Sequence, residues 1–228
     1  GATQIKLMVS GGVSSPTDRV DSTQFSMDEI IAAVEEAEAA NIHVMAHAYT
    51  ARAVNRAIVG GVRSIEHGNL IDETSVELFV KHGTFYVPTL STYNAIKAEG
   101  LKAGFPPELL SKLDDVLVAG GRALAMAYDG GVKMVYGTDL LGDMHRHQLK
   151  EFGLRAKVVS AAELIRSATC NAAELFGMQG EIGTVSVGAR ADLLVVDRDP
   201  LRNISVLEQP EKHLKAVMKD GQFFHDLL

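Results

Sequence analysis

The sequence predicts an α/β fold organised on a parallel sheet. Short apolar runs alternate with helical patterns over residues 5–139, the order expected of βα repeats. The runs are nearly continuous, as suits parallel strands buried on both faces. Several end in a polar residue and then break at once into a helix start or a turn.

Residues 5–9 form the first such run, with Lys6 inside it; Ser10-Gly11-Gly12 breaks it, and 13–24 is a polar loop containing Pro16. Ser26 and Glu29 make a capping box for a helix to about residue 40. Residues 43–48 are the next strand, and Thr50 caps a short Ala-rich helix ending at Gly60-Gly61. A strand over 63–66 follows, then a helix capped by Asp72 and stopped by Gly83. Residues 84–90 read as a strand whose end Pro88 demotes to loop. From Pro107 a long amphipathic helix runs to Gly130-Gly131, and 132–136 is the last strand of the series, closed by Asp139. Helices are expected over 148–158, 161–168 and 171–176. The texture then changes to short strands at 181–187, 191–196 and 215–224, the last with an Asp220-Gly221 hairpin signal. The division is therefore a main unit over 1–178 and a small β appendage over 179–228.

At 228 residues and a net charge of −7, the chain is poorly suited to nucleic acid or an anionic membrane as partner. Its one cysteine, Cys170, excludes an internal disulfide and suits a reducing, cytoplasmic setting; its apolar helical context predicts a small buried hydrophobe. No apolar run approaches the ~18 residues of a membrane span. The start shows no secretory signal and enters a strand almost at once, as a cut inside a longer protein would.

His47 and His67 each close an apolar run, twenty residues apart. Each is either a satisfied core residue or a ligand at a strand end, since neutral imidazole binds zinc and rigid strands hold its geometry. Lys6 in a strand must pair, snorkel or lose its charge. It is either ion-paired with a carboxylate or carboxylated by CO₂ into an anionic metal bridge. Asp139 is a helix cap or a metal ligand and general base. Tyr49 and Arg52 can donate to a substrate or simply pack. His145 and His147 are solvated loop residues or contacts for an anionic group, and residues 10–12 can expose backbone N–H groups.

Ile5-Lys-Leu-Met-Val-Ser-Gly-Gly12, His43-Val-Met-Ala-His-Ala-Tyr49, Ser64-Ile-Glu-His-Gly68, Tyr136-Gly-Thr-Asp-Leu-Leu141 and Gly188-Ala-Arg-Ala-Asp-Leu-Leu-Val-Val-Asp197 together resemble the amidohydrolase superfamily. Ser10–Asp18 and Thr138–His145 are similar to its prolidase-like branch, near imidazolonepropionase. The resemblance implies a (β/α)₈ barrel with strands four to eight present and part of a small β-sandwich appended. It implies two zinc ions, with Lys6 the carboxylated bridge, His47 and His67 ligands, and Asp139 both ligand and base. Zinc would polarise an amide carbonyl and lower the pKa of a bridging water to about 7. Tyr49, Arg52 and His145 would hold the carboxylate of a dipeptide or N-acyl amino acid. The departure is that the superfamily's first-strand His-x-His pair has no counterpart before Lys6, and His145-x-His147 lies after strand eight. Three missing βα units would amount to roughly 90 residues. The chain is thus expected to be a homo-oligomer or to need a further N-terminal segment or chain. Two other readings remain: a non-catalytic piece that acts by assembly, and a deaminase or cyclic-amide hydrolase on the same scaffold.

Overall fold

A computed structural model describes residues 1–15, 17–111 and 113–228, with the backbone alone at 108 and 111. Pro16 of the predicted loop and one position of the long predicted helix therefore lie outside the described residues. In chain order the first elements are β1 (Gln4–Met8), α1 (Met27–Ala39), β2 (His43–Thr50), α2 (Ala51–Val59), β3 (Ser64–Leu70), α3 (Glu73–His82), β4 (Phe85–Val87) and α4 (Leu90–Glu99). They are followed by α5 (Pro107–Ser111), α6 (Leu113–Asp129), α7 (Lys150–Arg155), α8 (Ala161–Ala168), α9 (Cys170–Leu175), β5 (Leu193–Val196), α10 (Pro210–His213), β6 (Leu214–Lys219) and β7 (Gln222–Asp226).

Strands β1 to β4 form one parallel sheet in sequential order, with Met8, His47 and Glu66 side by side in register. On one face Ala46, Ile65 and Tyr86 pack into a core with Ile30 and Val34 of α1, Val54 and Ile58 of α2, Phe79 of α3 and Leu124 of α6. The local chemistry reads as expected. Ser26 and Glu29 complete a capping box on α1, Thr50 caps α2, and Asp72 caps α3, which ends on Gly83 at φ 66°.

Four expectations are corrected. Strand β1 is not buried on both faces: Gln4, Lys6 and Met8 are exposed because it is the sheet's edge and only Ile5 and Leu7 turn toward the core. The strand expected over 132–136 is reduced to one parallel bridge, Tyr86 to Met134. Lys133 and Val135 bond the Tyr86 backbone in that bridge, but the next carbonyls are taken by side chains, Met134 by Asn171 Nδ2 at 2.8 Å and Val135 by Arg155 at 3.1 Å. Residues 181–187 turn rather than extend, with Gly180 and Gly183 at φ 82° and 73°, so the tail is one three-stranded antiparallel sheet, β5-β6-β7, closed by the Asp220-Gly221 turn. Cys170 is exposed, its Sγ 3.2 Å from the Gly183 carbonyl oxygen.

Helix α4 was not legible, and it is central. Its first turn has no local cap; Leu90 N and Ser91 N donate instead to the Glu151 carboxylate at 3.1 and 2.6 Å. Glu151 also pairs with Arg155 at 2.6 Å, both wholly buried. Arg155 donates in turn to the carbonyls of Val135, Gly137 and Pro88. No described helix is long and apolar enough to cross a membrane.

Removing one partner of such a pair leaves the other charge buried and uncompensated. Arg155→Met is expected to cost about 3–5 kcal/mol in urea unfolding. An unchanged midpoint would remove the pair's structural role.

Candidate active site

The carboxyl ends of β2 and β3, the loop after β1 and the segment ending in Asp139 enclose a cleft of about 420 Å³. Its wall includes His47, Tyr49, His67, Tyr93, Asp139 and Asp18. Glu66 and His67 are neighbours in β3 and would point to opposite faces of a regular strand. His67 has φ 74°, and the pairing with β2 shifts register beyond Ala48. This left-handed residue turns its ring to the His47 side, with ring centroids 4.6 Å apart. Gly68 follows at φ 54°, where a Cβ would come within 2.7 Å of the Tyr86 ring. Asp139 also has φ 48°. Two non-glycine residues in the left-handed region at one site are the kind of local strain that functional sites hold.

His67 is buried, and its Nδ1 lies 2.7 Å from Thr89 Oγ1 and 2.9 Å from the Tyr93 hydroxyl. Its Nε2 has no hydrogen-bond partner and sits 3.6 Å from Asp139 Oδ2. His47 Nε2 is 3.3 Å from the Gly11 carbonyl oxygen, so in this arrangement it donates there. Tyr49 is buried, stacked on His67 at 5.1 Å, with its hydroxyl 3.0 Å from that of Tyr93. Lys6 shares a sheet face with His47, and its Nζ is 3.8 Å from Glu66 Oε2. Arg52 is exposed and donates to Thr23 at 3.0 Å, and His145 is exposed on the 3₁₀ turn Gly142–His147; neither lines the cleft. His147 instead donates to Glu99 at 2.6 Å.

Burial dominates the electrostatics. It pushes the His47 pKa down to about 4, helped by repulsion from Lys6, and His67 well below the usual imidazole value. It pushes Asp139 above the usual carboxylate range, against the pull of Lys6. Glu66 is pushed up to about 7 by desolvation, despite Lys6 and a 2.7 Å hydrogen bond from Ser64 Oγ. Both imidazoles are thus neutral at pH 7, the form that ligates metal. The buried Nε2 of His67, aimed at a carboxylate and unpartnered, fits a cation between them. The donor set is incomplete, however: among the described residues no three His, Cys, Asp or Glu side chains converge closely enough to hold a metal ion.

The sequence reading passed over Glu66, Asn69, Thr89 and Tyr93. Glu66 carried a usable signal, a carboxylate inside an apolar strand beside a histidine. Thr89 and Tyr93 carried none, because they belong to the unrecognised start of α4.

The Amidohydrolase family profile matches residues 1–223. Ochratoxinase of Aspergillus niger is 32% identical over 225 residues, 98% of this chain and 46% of its own length. A crystal structure of a prolidase complexed with N-methylphosphonate-L-proline is 50% identical and superposes with a TM-score of 0.96, over 99% of this chain and 55% of that one. A Xaa-Pro dipeptidase with methionine bound in its active site is 34% identical, TM-score 0.89, over 99% and 55%. The chain spans about half the length of the curated ochratoxinase it matches.

A buried imidazole that stays neutral in the fold but protonates near pH 6.5 when unfolded makes the fold lose stability as pH falls from about 6.5 toward 4. Glu66 acts in the opposite direction over the same window, so the variant difference isolates the histidine. His47→Gln should gain on the metal-free wild type by on the order of 3 kcal/mol between pH 7 and 4. Parallel urea-midpoint curves for the two proteins would contradict this.

Proposed function

The chain belongs to the amidohydrolase family, and from that membership we propose that its cleft is the metal-dependent site of a hydrolase cleaving the amide bond of dipeptides or N-acyl amino acids. The observation that carries this reading is the buried, unpartnered His67 Nε2 facing Asp139 Oδ2 at 3.6 Å. The prolidase and Xaa-Pro dipeptidase likeness supports the substrate class. The architecture we infer is a (β/α)₈ barrel to which residues 1–178 contribute strands four to eight, with 179–228 a separate small β unit. The free edge of β1, carrying exposed Lys6 and Met8, supports further strands beside it.

In this reading His67 Nε2 and Asp139 Oδ2 would hold zinc, and His47, now bonded to the Gly11 carbonyl, would be the further imidazole ligand. Lys6, on the same face, would join them if its amine were carboxylated. Zinc held there would supply Lewis-acid polarisation of the scissile carbonyl and a water whose pKa is lowered to about 7. Asp139 is half-exposed on the cleft and held by backbone that Arg155 clamps at Gly137. Its other carboxylate oxygen, Oδ1, takes the proton of the attacking water and returns it to the leaving amine nitrogen. A carboxylate beside the reacting water can do both, as base and then as conjugate acid. Tyr49, a buried hydroxyl at the cleft wall, is placed to meet the substrate, whereas Arg52 and His145 would have to move to reach it.

Elemental analysis and assays on Xaa-Pro dipeptides and N-acyl amino acids test the proposal. About two zinc per active unit are expected, with activity abolished by a chelator and restored by zinc. Asp139→Asn should lower kcat by about 10²–10⁴-fold with a small change in KM. Full turnover of a zinc-free preparation would refute the reading.

A further inference from the structure

Asn69 lies two residues beyond His67 on β3, is buried, and has its side chain oriented by the backbone of α6. Its Nδ2 donates to the Val116 carbonyl at 3.1 Å. A carbonyl only accepts, so Oδ1 must face the opposite way, where the Tyr93 hydroxyl meets it at 3.1 Å. The amide has room only because α6 carries a glycine there: a Cβ on Gly120 would lie 2.6 Å from Asn69 Nδ2. Asn69 Oδ1 cannot donate, so the single Tyr93 proton goes to it. The Tyr93 oxygen then has only lone pairs to offer its other neighbours, the Tyr49 hydroxyl at 3.0 Å and His67 Nδ1 at 2.9 Å. An Nδ1 without hydrogen would set lone pair against lone pair at that distance. The Thr89 hydroxyl, 2.7 Å from the same nitrogen, rotates to accept or donate and follows the choice already made.

We propose that Asn69 is a positioning residue which, through Tyr93, keeps the hydrogen of His67 on Nδ1 and leaves Nε2 as a bare lone pair directed at Asp139. The functional consequence rests on reading His67 as a metal ligand, but the tautomer is a property of the metal-free protein. Without this chain of hydrogen bonds, Nε2–H could serve the Asp139 carboxylate instead, and the lone pair needed by a cation would be turned away.

Two-bond ¹H–¹⁵N NMR of the His67 ring in metal-free protein, paired with zinc affinity by chelator competition, reads both levels. Wild type is expected to show the Nδ1–H tautomer alone. Asn69→Leu, Tyr93→Phe and Gly120→Ala are expected to mix the tautomers and to weaken zinc by about 10- to 100-fold. Gly120→Ala keeps every polar group and only displaces the amide. A wild-type Nε2–H tautomer, or an Nδ1–H tautomer unmoved in the folded variants, would overturn the proposal. The predicted tautomer shifts in a protein that binds no zinc would uphold the positioning role and refute the metal site.

Discussion

The buried Glu151–Arg155 pair holds the working end of this molecule together. Two charges with no solvent exposure are tolerated only if nearly every donor and acceptor is used. Glu151 accepts from Leu90 N, Ser91 N and Arg155 Nε, and Arg155 spends its remaining donors on the carbonyls of Pro88, Val135 and Gly137. One ion pair on a single turn of α7 thereby joins the end of β4, the start of α4 and the segment leading to Asp139. Tyr136 also lies over the guanidinium, 5.3 Å from ring to cation.

The candidate site inherits its geometry from that junction. Thr89 and Tyr93, which hold His67 Nδ1, stand at the start of the helix that Glu151 caps. Asp139 stands two residues after the Gly137 carbonyl that Arg155 binds. The backbone strain at His67 and Asp139 is sustained because both flanking segments are anchored in this way. Glu66 shows the opposite economy. It is buried with one oxygen unpartnered and Lys6 at 3.8 Å, and burial raises its pKa to about 7.

Much of the helical half was legible because its signals are local. Ser26 with Glu29, Thr50, Asp72 and Gly83 act within one turn of themselves and did so as read. Helix α4 failed the same reading for a physical reason: its cap comes from Glu151, some sixty residues away, and its buried face includes Ser91 and Thr92. The strand expected at 132–136 failed because side chains from α7 and α9 claim the carbonyls that a neighbouring strand would have used.

The sequence by itself determined the parallel α/β order, most helix boundaries and the family, since periodicity, caps and ordered motifs are carried by residues close together in the chain. It also marked Lys6, His47, His67 and Asp139 as the polar groups that interrupt apolar strands. Only the tertiary structure decided which of these meet. It brings His67 and Asp139 to 3.6 Å, ties His47 to Gly11, pairs Lys6 with Glu66 and leaves Arg52 and His145 outside the cleft. Those outcomes depend on a left-handed turn at one residue and on hydrogen bonds between segments far apart in the chain, which no local pattern encodes.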